Sequence, residues 1–337
     1  MNVLTLNGGS SSLKVAAYAT TAAGDLEAVY GETLSGFSDA DETVRDVLVH
    51  ANVDVTAVGH RLVFGGARYD APVRADAGIL EDLEALVAVE PLHLRAELDL
   101  LYATMRALPD VPNVLCFDTA FHRRSPAIAH RLPLAPDLDP LLARYGFHGL
   151  SYEYVASQLP PEAGRTIVAH LGSGASLCAL RDGAPVDTTM GFTALGGVMM
   201  GTRPGDLDPG VLLRLLHDDG YTVESLSDLL YRRSGLLGVS GTSADMRTLM
   251  VEAAGKASAR DAIDLFTYQL LKHLGAMVAV LGGLDTLVFT GGIGEHQPVI
   301  RERLAAALAF LGRFSVLVIP TDENLMIARH VVTAVHS

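Results

Sequence analysis

Cysteine is scarce in this sequence of 337 residues, which contains only Cys116 and Cys178, each inside an apolar stretch. This favours buried thiols over a disulfide and predicts a reduced, cytoplasmic setting. The chain does not open on a basic region followed by an apolar core, so we expect no signal peptide. The most apolar segment, residues 273–289, is interrupted by glycines and by Asp285, which argues against a membrane span.

Positive charge is also in short supply. The chain has 25 lysines and arginines against 39 aspartates and glutamates, for a net charge of -14, and no run of basic residues occurs. Nucleic acids and anionic membranes would need a local basic patch against this field, so we predict neither as a partner. With 49% hydrophobic and 19% charged residues the chain is not disordered, and its length suits one large domain or two ordinary ones.

Several catalytic signatures are missing from the sequence. It contains no HExxH, no pair of CxxC motifs and no GxSxG, which argues against a zinc site and a serine-hydrolase elbow. No GxGxxG follows a predicted strand, because residues 291–294 supply only G-G-x-G, so we do not expect a dinucleotide-binding fold.

Glycine-rich loops are the strongest positive feature. LNGGSSSLK (6–14) lies between two short apolar runs, which predicts a hairpin rather than the strand-to-helix loop of a P-loop. HLGSGAS (170–176) repeats the pattern, with Gly8 matching Gly172 and Ser12 matching Ser176 at one offset without a gap. We interpret this similarity as an indication of two related halves.

The rest of the chain alternates strand and helix patterns, which predicts an α/β protein with ligands bound just after the strands. Helical spacing runs through residues 79–108, with a stripe formed by Leu80, Leu83, Leu86 and Val87. Further predicted strands are 111–117, 285–289 and 316–320, and further predicted helices are 258–282, one from Pro298 and one from Asp322.

A third glycine loop, GGIGE (291–295), also follows an apolar strand. Because glycine leaves backbone N–H groups open to a close anion, three such loops favour the binding of nucleotide phosphate. Four polar side chains near strand ends or glycines are candidates for chemistry, although each has a structural alternative. Arg61 and Arg203 could instead be solvated surface residues. Asp118 could be a helix N-cap, and His148 could be a structural residue that hydrogen-bonds to a carbonyl group.

Taken together, these segments resemble the acetate kinase family, whose members phosphorylate a short carboxylate with ATP. The resemblance implies two duplicated actin-like (ribonuclease H-like) α/β domains with a nucleotide cleft between them. We expect an N-terminal domain of residues 1–121 with the C-terminal helix 324–337, and a nucleotide-binding domain of residues 122–323. The matching motifs are LNGGSSSLK, GHRLVFGG, PLH, FDTAFH, RYGFHG, HLGSGAS, DTTMGFTALGGVMMGTRPGDLDP, SGLLGVSGTSADMR, FTGGIGE and PTDEN, which occur in family order along nearly the whole chain.

The resemblance also implies roles for individual residues. Asn7 and Glu323 hold Mg²⁺, with Mn²⁺ as a substitute, and Asp118, His148 and Arg203 are catalytic. The substrate carboxylate and its acyl group contact Arg61, Val63, Leu92, His93, Phe147 and Ala194. ATP or ADP contacts Ser10, Ser11, Ser12, Lys14, His170, Leu171, Gly172, Ser173, Gly174, Asp245, Met246, Arg247, Gly291, Gly292, Ile293, Gly294 and Glu295. The family also implies a homodimer.

The sequence departs from the family pattern at several positions, including Gly196 and His296, and three of these departures bear most on the proposed site. Phe64 replaces a histidine, Ser173 replaces an asparagine, and Ala194 replaces a proline at the acyl pocket. A smaller residue at 194 enlarges that pocket, so propionate or a longer acid competes with acetate as the expected substrate.

Two further alternatives remain at this stage, an ATP-binding switch module like hsp70 or actin and a weakened relative with a regulatory role. The presence of Arg61, Asp118, His148 and Arg203 favours the carboxylate kinase, because a switch needs no such set.

Overall fold

The computed structural model of the protein describes residues 1–9, 12–35, 39–90, 93–135 and 137–336. The chain forms two compact units. Unit 1 comprises Met1–Arg123, Phe147–Tyr154 and Asp322–Ser337, and unit 2 comprises Arg124–Gly146 and Val155–Thr321. The domain bounds expected from the sequence, 1–121 with 324–337 and 122–323, stay a prediction.

Unit 1 is built on a six-stranded sheet with the order β3-β2-β1-β4-β6-β5. The central strands β1, β4 and β6 are parallel, whereas β2, β3 and β5 are antiparallel to their neighbours. The strands are β1 (Asn2–Gly8), β2 (Leu13–Thr20), β3 (Leu26–Leu34), β4 (Ala57–Leu62), β5 (Val73–Arg74) and β6 (Asn113–Phe117). The helices are α1 (Ala40–Ala51), α2 (Ala77–Leu86), α3 (Leu94–Ala107), α4 (Gly149–Ser157), which begins in this unit, and α12 (Glu323–His336).

Helices cover both faces of this sheet, which explains why its central strands are almost entirely buried. Val3 belongs to the core beneath α12, whereas its neighbour Leu4 belongs to the core beneath α1 and α3, as the alternation of side chains along a strand requires. Gly59 on β4 lets α12 approach, because a Cβ atom there would lie 2.4 Å from the Ile327 side chain. The C-terminal helix is therefore an integral part of unit 1.

Unit 2 contains a five-stranded sheet with the order β11-β10-β7-β8-β9. Strand β10 pairs in parallel with β7 and β11, while β7–β8 and β8–β9 are antiparallel. The strands are β7 (Arg165–Leu171), β8 (Ala175–Arg181), β9 (Ala184–Thr188), β10 (Thr286–Thr290) and β11 (Ser315–Val318). The helices are α5 (Pro209–Asp218), α6 (Val223–Arg232), α7 (Gly235–Ser240), α8 (Met246–Glu252), α9 (Ala257–Leu281), α10 (Gly291–His296) and α11 (Pro298–Ala307). Short 3₁₀ turns occupy Phe121–Arg124, Ala127–His130 and Ala309–Leu311.

The two sheets repeat one topology. Each sheet contains an antiparallel meander of three strands, and two further strands lie beside the first strand of that meander and run parallel to it. The order is β3-β2-β1-β4-β6 in unit 1 and β9-β8-β7-β10-β11 in unit 2. This confirms the expectation of a duplicated actin-like α/β fold. Both predicted glycine hairpins, β1–β2 and β7–β8, are also present.

Three details of the sequence interpretation need correction. The two hairpins do not correspond without a gap, because the innermost paired residues of the first, Gly8 and Leu13, are five positions apart. Those of the second, Leu171 and Ala175, are four positions apart. The helical spacing of 79–108 belongs to two helices, α2 and α3, rather than one. GGIGE forms a short helix, α10, and is not an open loop.

Neither cysteine forms a disulfide, and both are buried, as the sequence predicted. Within the described ranges, no helix combines the length and the apolar character needed to cross a membrane.

Candidate active site

Polar side chains of unit 1 meet at the carboxyl ends of its parallel strands. Asn7 lies near the end of β1, Arg61 near the end of β4, and Asp118 directly after β6. Because these strands are parallel neighbours, their ends lie at the same edge of the sheet, which is where α/β folds bind ligands. The sheet thus brings together three of the residues selected from the sequence.

The guanidinium of Arg61 is the centre of this group. Its Nε and Nη2 donate to Oδ2 of Asp118 at 3.0 and 2.6 Å. Its Nη1 donates to the carbonyl oxygen of Gly8 and, at 3.1 Å, to Oε1 of Glu97. Only 11% of the Arg61 side chain is exposed, so this is a buried, hydrogen-bonded ion network rather than a surface pair. The solvated alternative for Arg61 is therefore wrong. The carboxylate of Asp118 contacts this arginine and also the backbone N–H of Leu150 at the start of α4.

Burial and charge act in opposite directions on the ionisable groups of this network. Burial lowers the pKa of Arg61, but Asp118, Glu97 and Glu323 outweigh it and the pKa is raised overall. Burial raises the pKa of Asp118 even though the Arg61 charge opposes the shift. Burial likewise raises the pKa of Glu97 to about 8, against the opposing effects of Arg61 and the Val63 N–H group.

Glu97 is a member of this network that the sequence interpretation missed. It lies in the first turn of α3, is only 5% exposed, and its Oε2 accepts a hydrogen bond from the backbone N–H of Val63 at 2.7 Å. Val63 is one of the residues expected to line the acyl pocket. The one available signal was a glutamate among the buried positions of an amphipathic helix, and such glutamates are rarely buried without a partner.

The two residues expected to hold the metal are in direct contact. Nδ2 of Asn7 donates to Oε2 of Glu323 at 2.8 Å, although the residues lie 316 positions apart in the sequence. Among the described residues there is no group of three or more His, Cys, Asp or Glu side chains suited to a metal ion. One carboxylate and one amide fit Mg²⁺, which keeps several waters and needs few protein ligands.

Only part of the first glycine loop lies within the described residues. Ser10 and Ser11, both expected to contact ATP, lie outside the described residues. Ser12 closes the turn, since its carbonyl oxygen accepts from the N–H of Gly9 at 2.8 Å. Lys14 is exposed and lies opposite Asn7 across the hairpin, so its ammonium group belongs to the same edge of the sheet.

Of the two neighbouring pocket residues expected from the sequence, Leu92 and His93, the structure describes only His93. Leu92 lies outside the described residues. Nδ1 of His93 contacts Oε1 of the buried Glu90 at 2.8 Å, which holds the imidazole ahead of α3.

The segment RYGFHG gives His148 a fixed backbone. His148 has a left-handed conformation with φ of 60°, which non-glycine residues adopt uncommonly. The next residue, Gly149, donates its N–H to the Asp118 carbonyl oxygen at 2.8 Å, and a Cβ atom there would lie 2.2 Å from that oxygen. Phe147 is buried and its ring stacks on Phe64 with centroids 6.4 Å apart. The phenylalanine at 64 thus packs against an expected pocket residue.

In unit 2 the second glycine hairpin lies at the ends of β7 and β10. His170 pairs with Thr290 on the parallel strand, and the N–H of Gly172 donates to the Gly174 carbonyl oxygen at 2.9 Å. The Ser173 carbonyl oxygen accepts from the N–H of Gly201 at 3.0 Å, which connects the loop to the segment that carries Arg203. The expected phosphate residues His170, Leu171, Gly172, Ser173 and Gly174 are therefore contiguous with that segment.

Arg203 has a defined position in unit 2. Its Nη1 donates to the Ala194 carbonyl oxygen at 2.7 Å, and its own carbonyl oxygen accepts from the N–H of Met200 at 3.0 Å. Gly235 permits this turn, because it has φ of +62° and a Cβ atom there would lie 2.2 Å from the Met200 carbonyl oxygen. The structure thus joins Arg203 to Ala194, the expected residue of the acyl pocket.

The remaining expected nucleotide contacts divide into two sets. Gly291, Gly292, Ile293, Gly294 and Glu295 form α10, which follows β10. The Glu295 carboxylate accepts from the N–H of Gly291 at 2.9 Å, and a Cβ atom on Gly291 would lie 2.8 Å from the Leu171 carbonyl oxygen, so this segment adjoins the β7 loop.

The second set begins α8. Asp245 caps this helix by accepting from the N–H of Arg247 at 2.7 Å, and the two side chains form an ion pair while Met246 is buried. Capping is a common role for an aspartate directly before a helix. The neighbouring Ala244 carbonyl oxygen would lie 3.4 Å from a Cβ atom on Gly201, which places the start of α8 beside the Arg203 segment.

Known proteins are similar to this chain over most of its length. The model of the Acetokinase family matches residues 36–315. An acetate kinase of Rhodopseudomonas palustris is 47% identical over 306 residues, which cover 82% of this chain and 76% of the relative. The crystal structure of Porphyromonas gingivalis acetate kinase superposes with a TM-score of 0.87 at 32% identity and 99% coverage of both chains. A propionate kinase from Francisella tularensis superposes with a TM-score of 0.89 at 32% identity, covering 98% of this chain and 99% of that one. The chain belongs to the acetokinase family.

Proposed function

We propose that this chain is an acetate kinase, which transfers the γ-phosphoryl group of ATP to acetate and forms acetyl phosphate and ADP reversibly. The observation that carries the proposal is the cluster of Asn7, Arg61, Asp118 and Glu323 at one edge of the unit 1 sheet. This cluster contains the residues needed for an anionic acceptor and for a metal-bound phosphate. A nucleotide switch has no use for the carboxylate-binding arginine.

The acceptor needs no strong general base, because a carboxylate is already a nucleophile. One of its oxygens forms a bond to the γ-phosphorus while the bond from that phosphorus to the bridging oxygen of ADP breaks. The protein must align two anions and neutralise the charge on the transferring group, so catalysis consists of positioning and electrostatics. Arg61 is proposed to bind the acceptor, since a buried guanidinium favours a negative partner.

Arg203 and His148 are proposed to act on the transferring phosphoryl group. The Arg203 guanidinium is a planar donor whose orientation is set by the Ala194 carbonyl oxygen. His148 has the fixed backbone that a positioned donor requires. Asp118 is proposed to orient Arg61, which is the contact it makes.

Magnesium is proposed to bind at Asn7 and Glu323. These side chains supply one amide and one carboxylate, the kind of sparse oxygen set that Mg²⁺ and Mn²⁺ accept beside waters and phosphate. When bound, the ion neutralises phosphate charge. ATP is proposed to contact the glycine segments at residues 170–174 and 291–295, the start of α8, Ser12 and Lys14.

A second copy of the chain is proposed as the protein partner. The family resemblance implies a homodimer, and α5 supports it. This helix has no buried residue although it is largely apolar, with Leu213 58% and Leu216 37% exposed. An exposed apolar face of this kind is typical of an interaction surface.

Propionate is the second candidate substrate. Ala194 presents only a methyl group where the family resemblance implies a proline ring, so we expect room for one more methylene. A methylene in an apolar pocket changes the preference by about 10- to 200-fold. The similarity to a propionate kinase structure is consistent with this candidate.

The test traps acyl phosphate as hydroxamate with ATP and Mg²⁺ across acetate, propionate, butyrate and valerate. We expect hydroxamate from acetate or propionate, with the ratio of the two kcat/KM values naming the substrate. The variant Ala194→Pro is the matched comparison, and it should lower activity toward propionate more than toward acetate. If no acid yields hydroxamate although the protein binds ATP, the kinase proposal fails and the switch alternative gains support.

A further inference from the structure

Glu97 links two parts of the unit 1 cluster that have separate proposed tasks. Its Oε1 accepts from Nη1 of Arg61 at 3.1 Å, and its Oε2 accepts from the backbone N–H of Val63 at 2.7 Å. Arg61 is the proposed carboxylate-binding group, and Val63 is a proposed pocket residue. One buried carboxylate therefore contacts both the polar and the apolar side of the proposed acceptor site.

The donors of Arg61 are almost all in use. A guanidinium has five N–H groups. In this structure Nε and one N–H of Nη2 donate to Asp118, and the two N–H groups of Nη1 serve Gly8 and Glu97. Of the five N–H groups of Arg61, only the second one on Nη2 has no hydrogen-bond partner among the described residues. An acceptor carboxylate cannot take two N–H groups of Arg61 unless an internal partner gives way.

The charges around Arg61 disfavour a further anion. Asp118 and Glu97 contact the guanidinium, and Glu323 acts on it at longer range. Glu97 itself faces Arg61 on β4, Asp118 after β6 and Glu90 before α3. An incoming carboxylate thus meets one buried cation that already has several negative neighbours.

We propose that Glu97 is a positioning residue that limits the affinity of Arg61 for the acceptor carboxylate, by competing for Nη1 while it holds Val63. This inference rests on the proposed function, because it assumes that the acceptor is a carboxylate. Asp118 and Gly8 keep Arg61 in place without Glu97, so the loss of its charge strengthens acceptor binding and leaves the chemical step intact.

The variant Glu97→Gln tests this directly. Glutamine has the same size and can still accept from the Val63 N–H through its amide oxygen, but it no longer offers a carboxylate to Arg61. At pH values above the Glu97 pKa of about 8, we expect KM for the acceptor to fall by about 3- to 10-fold, as the removal of one nearby charge implies. The turnover number should stay within about twofold, and KM for ATP should not change.

A second variant and a control complete the experiment. Glu97→Asp keeps the negative charge but is one methylene shorter, so we expect that it cannot contact both Arg61 and Val63. The hydrogen bond to the Val63 N–H is the shorter of the two in the wild-type protein, and we expect the aspartate to keep that one. We expect it to lower KM for the acceptor less than Glu97→Gln does. Glu84→Gln removes an exposed carboxylate from α2 that pairs with Arg95, and it should leave both constants unchanged.

The outcomes are distinct. If the wild-type protein forms no hydroxamate, the proposed function fails. If the wild-type protein is active and the folded Glu97 variants show an unchanged or raised KM for the acceptor, the proposed role of Glu97 is wrong. Circular dichroism melts of each variant identify those that have not folded. Should Glu97→Gln not fold, Glu97→Asp decides the question alone.

Discussion

Among single side chains, the Arg203 guanidinium is anchored by the Ala194 carbonyl oxygen within a turn that requires Gly235. An arginine directed at a transferring phosphoryl group contributes about 10³–10⁵ in rate in other nucleotide-hydrolysing enzymes. We therefore expect Arg203→Ala to lower kcat by at least about 10³-fold in the hydroxamate assay, with little change in the melting temperature.

Arg214→Ala is the matched control for that prediction. Arg214 is an exposed arginine on α5 that pairs with Asp218. Its loss should leave kcat unchanged, and near-normal turnover of a folded Arg203→Ala protein would remove Arg203 from the mechanism.

Gly149 has a steric role that its chemistry alone does not reveal. A Cβ atom at this position would lie 2.2 Å from the Asp118 carbonyl oxygen, so Gly149→Ala must displace backbone beside the Arg61 network. We expect a loss of about 1–3 kcal/mol in the free energy of unfolding, in line with overpacked sites. Acceptor phosphorylation should weaken as well.

Gly275→Ala provides the opposite case. Gly275 lies on an exposed face of α9, and a Cβ atom there meets nothing within 4 Å. Alanine in a helix interior should raise the free energy of unfolding by about 0.5–1 kcal/mol. Urea denaturation of both variants tests the pair, and equal effects of the two substitutions would contradict the steric argument.

Among the elements, the pairing of β4 with β6 contains a buried polar contact between His60 and Asn113, whose side chains lie 2.8 Å apart. Burial lowers the pKa of His60 from 6.5 to about 4, although the hydrogen bond to Asn113 opposes the shift. Between these two values the unfolded chain binds a proton that the folded chain does not bind. The free energy of unfolding must therefore decrease as the pH falls through this window, by about 3 kcal/mol in total.

His60→Gln should remove that contribution, because glutamine can keep a hydrogen bond to Asn113 without titrating. We expect urea denaturation across the window to show a smaller decrease in stability for this variant than for the wild-type protein. An identical pH dependence of wild-type and His60→Gln proteins would show that His60 does not contribute.

Elements were also where the sequence was most informative. The apolar runs on either side of Gly8 and Gly172 predicted both hairpins, because short apolar segments joined by a tight turn have few other ways to bury themselves. The spacing of 79–108 did not reveal the break between α2 and α3. Both helices present apolar residues at helical spacing, and periodicity alone does not show where one helix ends and the next begins.

For the whole molecule, the proposed homodimer is the main expectation. Leu213 and Leu216 lie three residues apart on α5, so their exposed side chains share one face. The double variant Leu213→Asp/Leu216→Asp places two charges on this apolar face, so we expect it to prevent dimer formation. Light scattering should then give half the wild-type molar mass, and the circular dichroism spectrum should not change. Val49→Asp alters an exposed valine on α1 and should keep the wild-type mass. A wild-type monomer, or a double variant that stays dimeric, would rule out this face.

The sequence by itself determined the class of protein and the local elements. Net charge, scarce cysteine and alternating apolar runs depend on composition and short-range order, and the motifs from Asn7 to Glu323 were sufficient to indicate the family. These properties need no knowledge of which distant segments meet.

Only the tertiary structure decided which side chains act on each other. Asn7 meets Glu323 because α12 packs on the same sheet that begins with β1, and Glu97 meets Arg61 because α3 covers the β4 side of that sheet. The local pattern sets Glu97 apart from a solvated glutamate only by its place among the apolar positions of α3, and it does not name the partners of the carboxylate. Its burial, its raised pKa and its hold on Arg61 arise only when the helix and the strand are packed together, because desolvation and hydrogen bonding depend on distance in space.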